Sequence, residues 1–148
     1  EHRRQNLLST MNRIFSDQKP GLPIINENDS IADEELRFTD NDELAGLTAE
    51  LINANKLLIL TSINGILKSI DDPESLIKEI HPHDESWRQY ITKESTANGR
   101  GGMERKGEMA QYAARNGTTV HIINGKTPKV AERVLIKGEP LGTTFLTY

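Results

Sequence analysis

Leu57-Leu58-Ile59-Leu60-Thr61 is apolar at every position but the last. A strand with one wet face alternates apolar and polar side chains. An unbroken run puts apolar groups on both faces, as in the centre of a parallel sheet covered by helices. Asn64-Gly65 then supplies a turn. Upstream, Leu44, Leu47, Leu51 and Ile52 are spaced i, i+3, i+7, i+8, which predicts a helix beginning near Asp42. Downstream, a helix is expected from about Glu104 to Arg115, with Ala110, Ala113 and Ala114 as a small-residue face. Asn116-Gly117 offers its left-handed stop. Thr119-Val120-His121-Ile122-Ile123 reads as the next strand, turned by Asn124-Gly125. Val130, Val134 and Leu135 mark a last helix after Pro128, closed by Gly138, and Gly142-Thr143-Thr144-Phe145 a final strand. Strands alternating with helices of roughly 10–15 residues indicate an α/β fold with a mainly parallel sheet.

The flanks are less regular. Leu7, Leu8, Met11, Ile14 and Phe15 describe an amphipathic helix, stopped by Lys19-Pro20-Gly21. Leu22-Pro23-Ile24-Ile25 predicts a short buried strand. Leu76, Ile77 and Ile80 suggest one more strand, followed by a polar loop that holds the single Trp, Trp87. No internal repeat and no long linker interrupts residues 1–148, which read as one domain.

Composition narrows the function classes. The chain has 148 residues, enough for a real core, and no cysteine, which excludes disulfides and thiolate metal sites and fits a reducing compartment. Lys and Arg total 18 against 22 Asp and Glu, with no basic stripe interleaved with aromatics, so nucleic acid is not an expected partner. No apolar run approaches the roughly 20 residues of a membrane helix. The expectation is a soluble cytoplasmic protein or a piece of one.

Two acidic clusters carry the chemistry. Asn26-Glu27-Asn28-Asp29 closes Pro23-Ile24-Ile25, and Asp40-Asn41-Asp42 closes Leu36-Arg37-Phe38. Carboxylates accept from an ammonium while Asn amides donate to a carboxylate, the donor set for an amino acid. Taken singly, each cluster also suits a hairpin loop or an Asp/Asn helix cap. Gly99-Arg100-Gly101-Gly102-Met103-Glu104-Arg105-Lys106 runs straight into a helix. Glycines let backbone N–H groups approach a phosphate, the helix N-terminus favours anions, and Lys106 lies about one turn in. The spacing matches neither a Walker A nor a dinucleotide fingerprint, and a plain glycine loop remains the alternative. His81-Pro82-His83-Asp84 lacks a third nearby metal ligand and reads as a solvated loop. His121 reads as a hydrogen-bonded core histidine, and Trp87 and Tyr90 as packing under a loop or, alternatively, flanks for a nucleotide base.

In order, these pieces resemble the glutamate 5-kinases of the amino acid kinase family. Pro23-Ile24-Ile25-Asn26-Glu27-Asn28-Asp29 is similar to their glutamate-binding segment, and Asp40-Asn41-Asp42 to their "DND". Leu57 to Thr61 is similar to "LLLLT", Asn64-Gly65 to "DG", Gly101-Gly102-Met103 with Lys106 to "GTGGMxTK", and Gly142-Thr143-Thr144-Phe145 to "GTxF". The resemblance implies a three-layer αβα sandwich with a mainly parallel central sheet. This chain would be the C-terminal, nucleotide-binding part of the kinase domain, without its N-terminal portion and without an RNA-binding-like PUA module.

By that resemblance Asn26, Asp29, Asp40 and Asn41 would hold L-glutamate. Thr61, Ser62, Arg100, Gly101, Gly102, Met103, Glu104, Arg105 and Lys106 would hold ATP. Lys106 would stabilise the transferring phosphoryl group and Asp42 would orient the catalytic lysines, with Mg2+ as cofactor. The implied reaction phosphorylates the glutamate side-chain carboxylate, the first step of proline synthesis; oligomers and feedback inhibition by proline are implied as well. Ser62 and Asn64 stand where the family has Asp, and Arg100 and Arg105 replace threonines. Nothing matches the family's N-terminal strand and glycine loop, so the chain alone is not expected to be a competent kinase. The rival expectations are another amino acid kinase substrate, or a non-catalytic glutamate- or proline-binding regulatory or assembly module.

Overall fold

The computed structural model describes residues 2–17, 21–26, 41–91 and 101–148. Its elements in chain order are α1 (His2–Ser16), α2 (Asn41–Leu51), β1 (Lys56–Thr61), β2 (Glu79–Ile80), α3 (Gly101–Arg115), β3 (Thr119–Asn124), α4 (Val130–Leu135) and β4 (Thr143–Phe145). Short 3-10 turns occupy Pro73–Ser75 and Ser86–Tyr90.

The two apolar runs, β1 and β3, pair in parallel from Lys56 beside Thr119 to Thr61 beside Asn124. β4 lies antiparallel to β3 on its other side, and β2 pairs parallel with β4, giving the order β1-β3-β4-β2. Helices cover both faces of this sheet, in three layers. On one face α3 lays Ala110, Ala113 and Ala114, all fully buried, against Ile59, Val120, Ile122 and Phe145. Alanines leave no bulk between helix and sheet, which permits close packing. On the other face Val130 and Val134 of α4 meet Ile123, with Leu58 and Leu141 packed around them. Gly117, at φ +93°, ends α3 as its position in the sequence implies, and the Thr118 N–H bonds back to the Ala113 carbonyl at 3.0 Å.

Four expectations need correction. Residues 22–25 are not a buried strand: they pair with no strand among the described residues, with Leu22 88% and Ile24 92% exposed. β1 has the composition of a central strand, yet among the described residues it pairs only with β3, and Leu60 is 56% exposed. Trp87 is no satellite; it is 1% exposed within the main core, edge-on to Phe145 with ring centroids 5.9 Å apart. The stretch around Leu76 and Ile77 yields only the two-residue β2 at Glu79–Ile80, because pairing with β4 is confined to those two residues.

Candidate functional site

Connection lengths decide where the site lies. α2 reaches β1, and α3 reaches β3, through only a few residues, so each helix runs back antiparallel to the strand that follows it. At that end the two connections are tied together by Thr118 Oγ1, which donates to the Ala54 carbonyl at 2.9 Å. The N-termini of α2 and α3 therefore face the carboxyl ends of β1 and β3. In open α/β sheets ligands bind in the crevice at that edge, where helix N–H groups also point outward.

Asp42 and Lys106 meet there. Asp42 lies in the first turn of α2 and Lys106 in the second turn of α3, and Lys106 Nζ donates to Asp42 Oδ2 at 2.5 Å. Both side chains remain about one-fifth exposed (21% and 22%), so the ammonium can still meet an incoming anion. The helices pack closely enough to bring them together: a Cβ on Gly46 of α2 would sit 2.8 Å from the Met109 methyl of α3.

At the strand ends, the Thr61 carbonyl accepts from the Gly125 N–H at 2.9 Å. Asn124 Nδ2 donates to Asn64 Oδ1 at 3.0 Å, while Asn124 Oδ1 takes the Lys126 N–H at 3.0 Å. Asn64 thus stands in an amide pair at the carboxyl edge. Asn124, read in the sequence only as a turn residue, is its partner because the strands are parallel and in register.

Two cavities adjoin this framework. The larger, about 400 Å³, lies between the segment 23–26 and the α2–β1 unit, with Asn26 and Asn41 in its wall and Lys56 lining it at the amino end of β1. The smaller, about 260 Å³, is mostly apolar, with Ile63, Ile66, Tyr90, Ile91 and Met103 in its wall. Tyr90 is thereby placed at a cavity, whereas Trp87 is committed to the core.

Of the remaining ATP-binding expectations, Ser62, Gly102, Glu104 and Arg105 are exposed and Thr61 half-buried. From Gly101 onward the expected loop is helix, so Gly101, Gly102 and Met103 form the first turn of α3. Asp29, Asp40 and Arg100 lie outside the described residues. Elsewhere, His121 shares a hydrogen bond with Thr144 Oγ1 at 3.0 Å through Nδ1, as expected of a core histidine, but its buried Nε2 has no partner. Burial, and then the charge of Lys56, hold its pKa below the usual imidazole range. Asp84 of the His81–Asp84 loop accepts from the Ser86 N–H, and hydrogen bonding to Ser86 lowers its pKa. No helix among the described residues is long and apolar enough to cross a membrane.

Residues 1–124 match the amino acid kinase family. The chain is 40% identical over 129 residues to glutamate 5-kinase of Chlorobaculum tepidum, covering 87% of this chain and 36% of that protein. It is 39% identical over 149 residues to glutamate 5-kinase of Hydrogenovibrio crunogenus (97% and 39% covered). The glutamate 5-kinase of Bacteroides thetaiotaomicron is 46% identical over 111 residues (74% and 31% covered). The chain thus spans between 31% and 39% of these relatives. Among solved structures, N-acetylglutamate synthase of Neisseria gonorrhoeae shares the fold, with TM-score 0.57 at 22% identity over 74% of this chain and 24% of that one. The chain belongs to the amino acid kinase family.

Proposed function

We propose that this chain supplies the nucleotide-binding part, and two of the glutamate-binding segments, of a glutamate 5-kinase. Its reaction is ATP-dependent phosphorylation of the L-glutamate side-chain carboxylate to L-glutamyl 5-phosphate, the entry to proline synthesis. One observation carries the reading: the Lys106–Asp42 pair, half-open at the helix N-termini that face the carboxyl edge of the sheet.

The chemistry asks little of the protein. A glutamate carboxylate, with ordinary pKa about 4.3, is already ionised at neutral pH, so no general base is needed. One carboxylate oxygen forms a bond to the γ-phosphorus as the bond from that phosphorus to the β,γ-bridging oxygen breaks, and ADP leaves. Catalysis then rests on alignment and on positive charge over the transferring group. Lys106 provides the charge and Asp42 holds its ammonium in place. Asn26 and Asn41 line the larger cavity, where their amides suit the carboxylates of glutamate. The apolar cavity beside Met103 suits a nucleotide base.

For Mg2+ the fit is different. Among the described residues no three His, Asp or Glu side chains come together as a metal site, and Asp42 is engaged by Lys106. Mg2+ would therefore arrive with the nucleotide, bound to its phosphates.

The test is a chimera in which this chain replaces the matching third of the Chlorobaculum tepidum relative. Glutamate- and ATP-dependent acyl phosphate would be trapped as the hydroxamate. Turnover that falls on the order of a hundredfold or more in Lys106→Ala supports the assignment. A folded chimera that binds ATP without turnover supports a regulatory module instead, the reading favoured by Ser62 and Asn64.

A further inference from the structure

We propose that the segment 82–90 is a clasp on α3, with Trp87 the positioning residue that sets the helix so that Lys106 reaches Asp42. The idea rests on reading Lys106 as the phosphate-binding group, and it extends that reading to residues that touch no substrate.

The contacts run along one flank of α3. At Gly107, the residue after Lys106, a Cβ would lie 2.5 Å from both Cη2 and Cζ3 of Trp87, so the indole rests directly on the helix backbone. One turn on, Gln111 accepts from Trp87 Nε1 at 3.3 Å. Gln111 Nε2 donates to the Pro82 and Asp84 carbonyls at 3.2 and 2.8 Å. Gln111 is 2% exposed, so its bonds are made away from water, where leaving them unmade is costly. Arg88 stacks over the Trp87 ring at 4.9 Å and pairs with Glu108 at 2.6 Å. A further turn along, Arg115 Nε donates to the Pro82 carbonyl at 2.8 Å, and its guanidinium pairs with Glu85 at 2.9 Å. Gly107, Glu108, Gln111 and Arg115 are thus gripped by one short segment.

The neighbouring flank of α3 faces α2, where Lys106 meets Asp42 and Met109 fits against Gly46. With both flanks in contact, α3 has little room to slide or roll. A displacement of about 1 Å would stretch the 2.5 Å ion pair to the limit of hydrogen-bonding distance, and shifts of that size can cost an active site on the order of a hundredfold in rate. The same segment ends in Tyr90, which with Ile91 and Met103 lines the apolar cavity, so the clasp sets both ends of the nucleotide region.

The experiment follows the Lys106 side-chain resonances in the 148-residue chain labelled with 13C,15N-lysine, with no nucleotide present. They are identified by their loss in Lys106→Arg, and the ion pair by their shift in Asp42→Asn. The expected result is that Gly107→Ala, which wedges the indole away, and Gln111→Leu, which removes its anchor, each move Lys106 to the Asp42→Asn position. Val134→Ala, a destabilising change on the opposite face of the sheet, should leave it in place. If Lys106 keeps its paired signal in Gly107→Ala and Gln111→Leu, or if Val134→Ala shifts it equally, the clasp is overturned. Should Gly107→Ala fail to fold, Gln111→Leu decides. Calorimetric MgATP binding is measured separately, with affinity expected to fall on the order of tenfold in Gly107→Ala. Absence of MgATP binding in every form would sink the kinase reading while the Lys106 signal still judges the clasp.

Discussion

Two apolar stretches of this chain met different fates. Ile122 and Ile123 on β3 are fully buried, whereas Leu22 and Ile24 in the segment 21–26 are 88% and 92% exposed. Both stretches are β-prone, yet β3 buries apolar groups on both of its faces, whereas in 21–26 only Pro23 is half-buried. The difference lies in backbone partners and cover. β3 is paired on both sides and sandwiched between α3 and α4, while the segment 21–26 has no strand beside it among the described residues. Apolar composition makes burial favourable, but only a neighbouring element can deliver it.

The largest test of that contrast is in the scaffold. Phe145→Ala removes a fully buried ring packed edge-on to Trp87 in the main core, and should cost about 3–5 kcal/mol, read as a lower urea midpoint. Thr143→Val should follow. Its hydroxyl accepts from the Ile66 N–H at 2.8 Å and donates to the Ile77 carbonyl at 2.7 Å, so both backbone groups would lose a buried partner. A loss of about 1–3 kcal/mol is expected, with little change in the slope of the transition.

A smaller effect should appear with pH. His121 has a folded pKa below its unfolded value of about 6.5, so below that pH the unfolded chain binds more protons. Stability should then fall as pH drops below about 6.5, and His121→Gln should flatten that slope. Hydrogen bonding by Tyr112 and then Arg4 lowers the Glu50 pKa, so Glu50 loses its contribution only at lower pH, as the carboxylate protonates. Thermal unfolding across pH 5–8 would read His121 with Glu50 still ionised; an unchanged slope in His121→Gln would refute the assignment. Smallest of all, Leu22→Ser and Ile24→Ser should leave the stability of the chain within about 0.5 kcal/mol. A loss comparable to Thr143→Val would show that the segment 21–26 is packed after all and would erase the contrast.

How far the site could be read from sequence varied with the kind of information each residue needed. Asp42 and Lys106 could be singled out singly, as a helix-start carboxylate and a cation beyond a glycine run, but they are far apart in the chain. Their contact needed α2 and α3 to pack side by side. Asn26 and Asn41 were legible as amide donors, while their sharing one cavity wall needed the fold. Trp87 looked like loop packing because its segment is polar; its partners, Gly107, Gln111 and Phe145, come from two other elements.

Local pattern was sufficient for the helices α2, α3 and α4, for β1, β3 and β4, and for the stop at Gly117, since periodicity and backbone freedom are properties of neighbouring residues. Strand order, the antiparallel placement of β4, the single pairing of β1 among the described residues and the exposure of residues 22–25 were decided only in three dimensions. Each of these depends on which distant backbone comes to lie alongside, and on whether any does, and neither is encoded in the spacing of apolar residues along one segment.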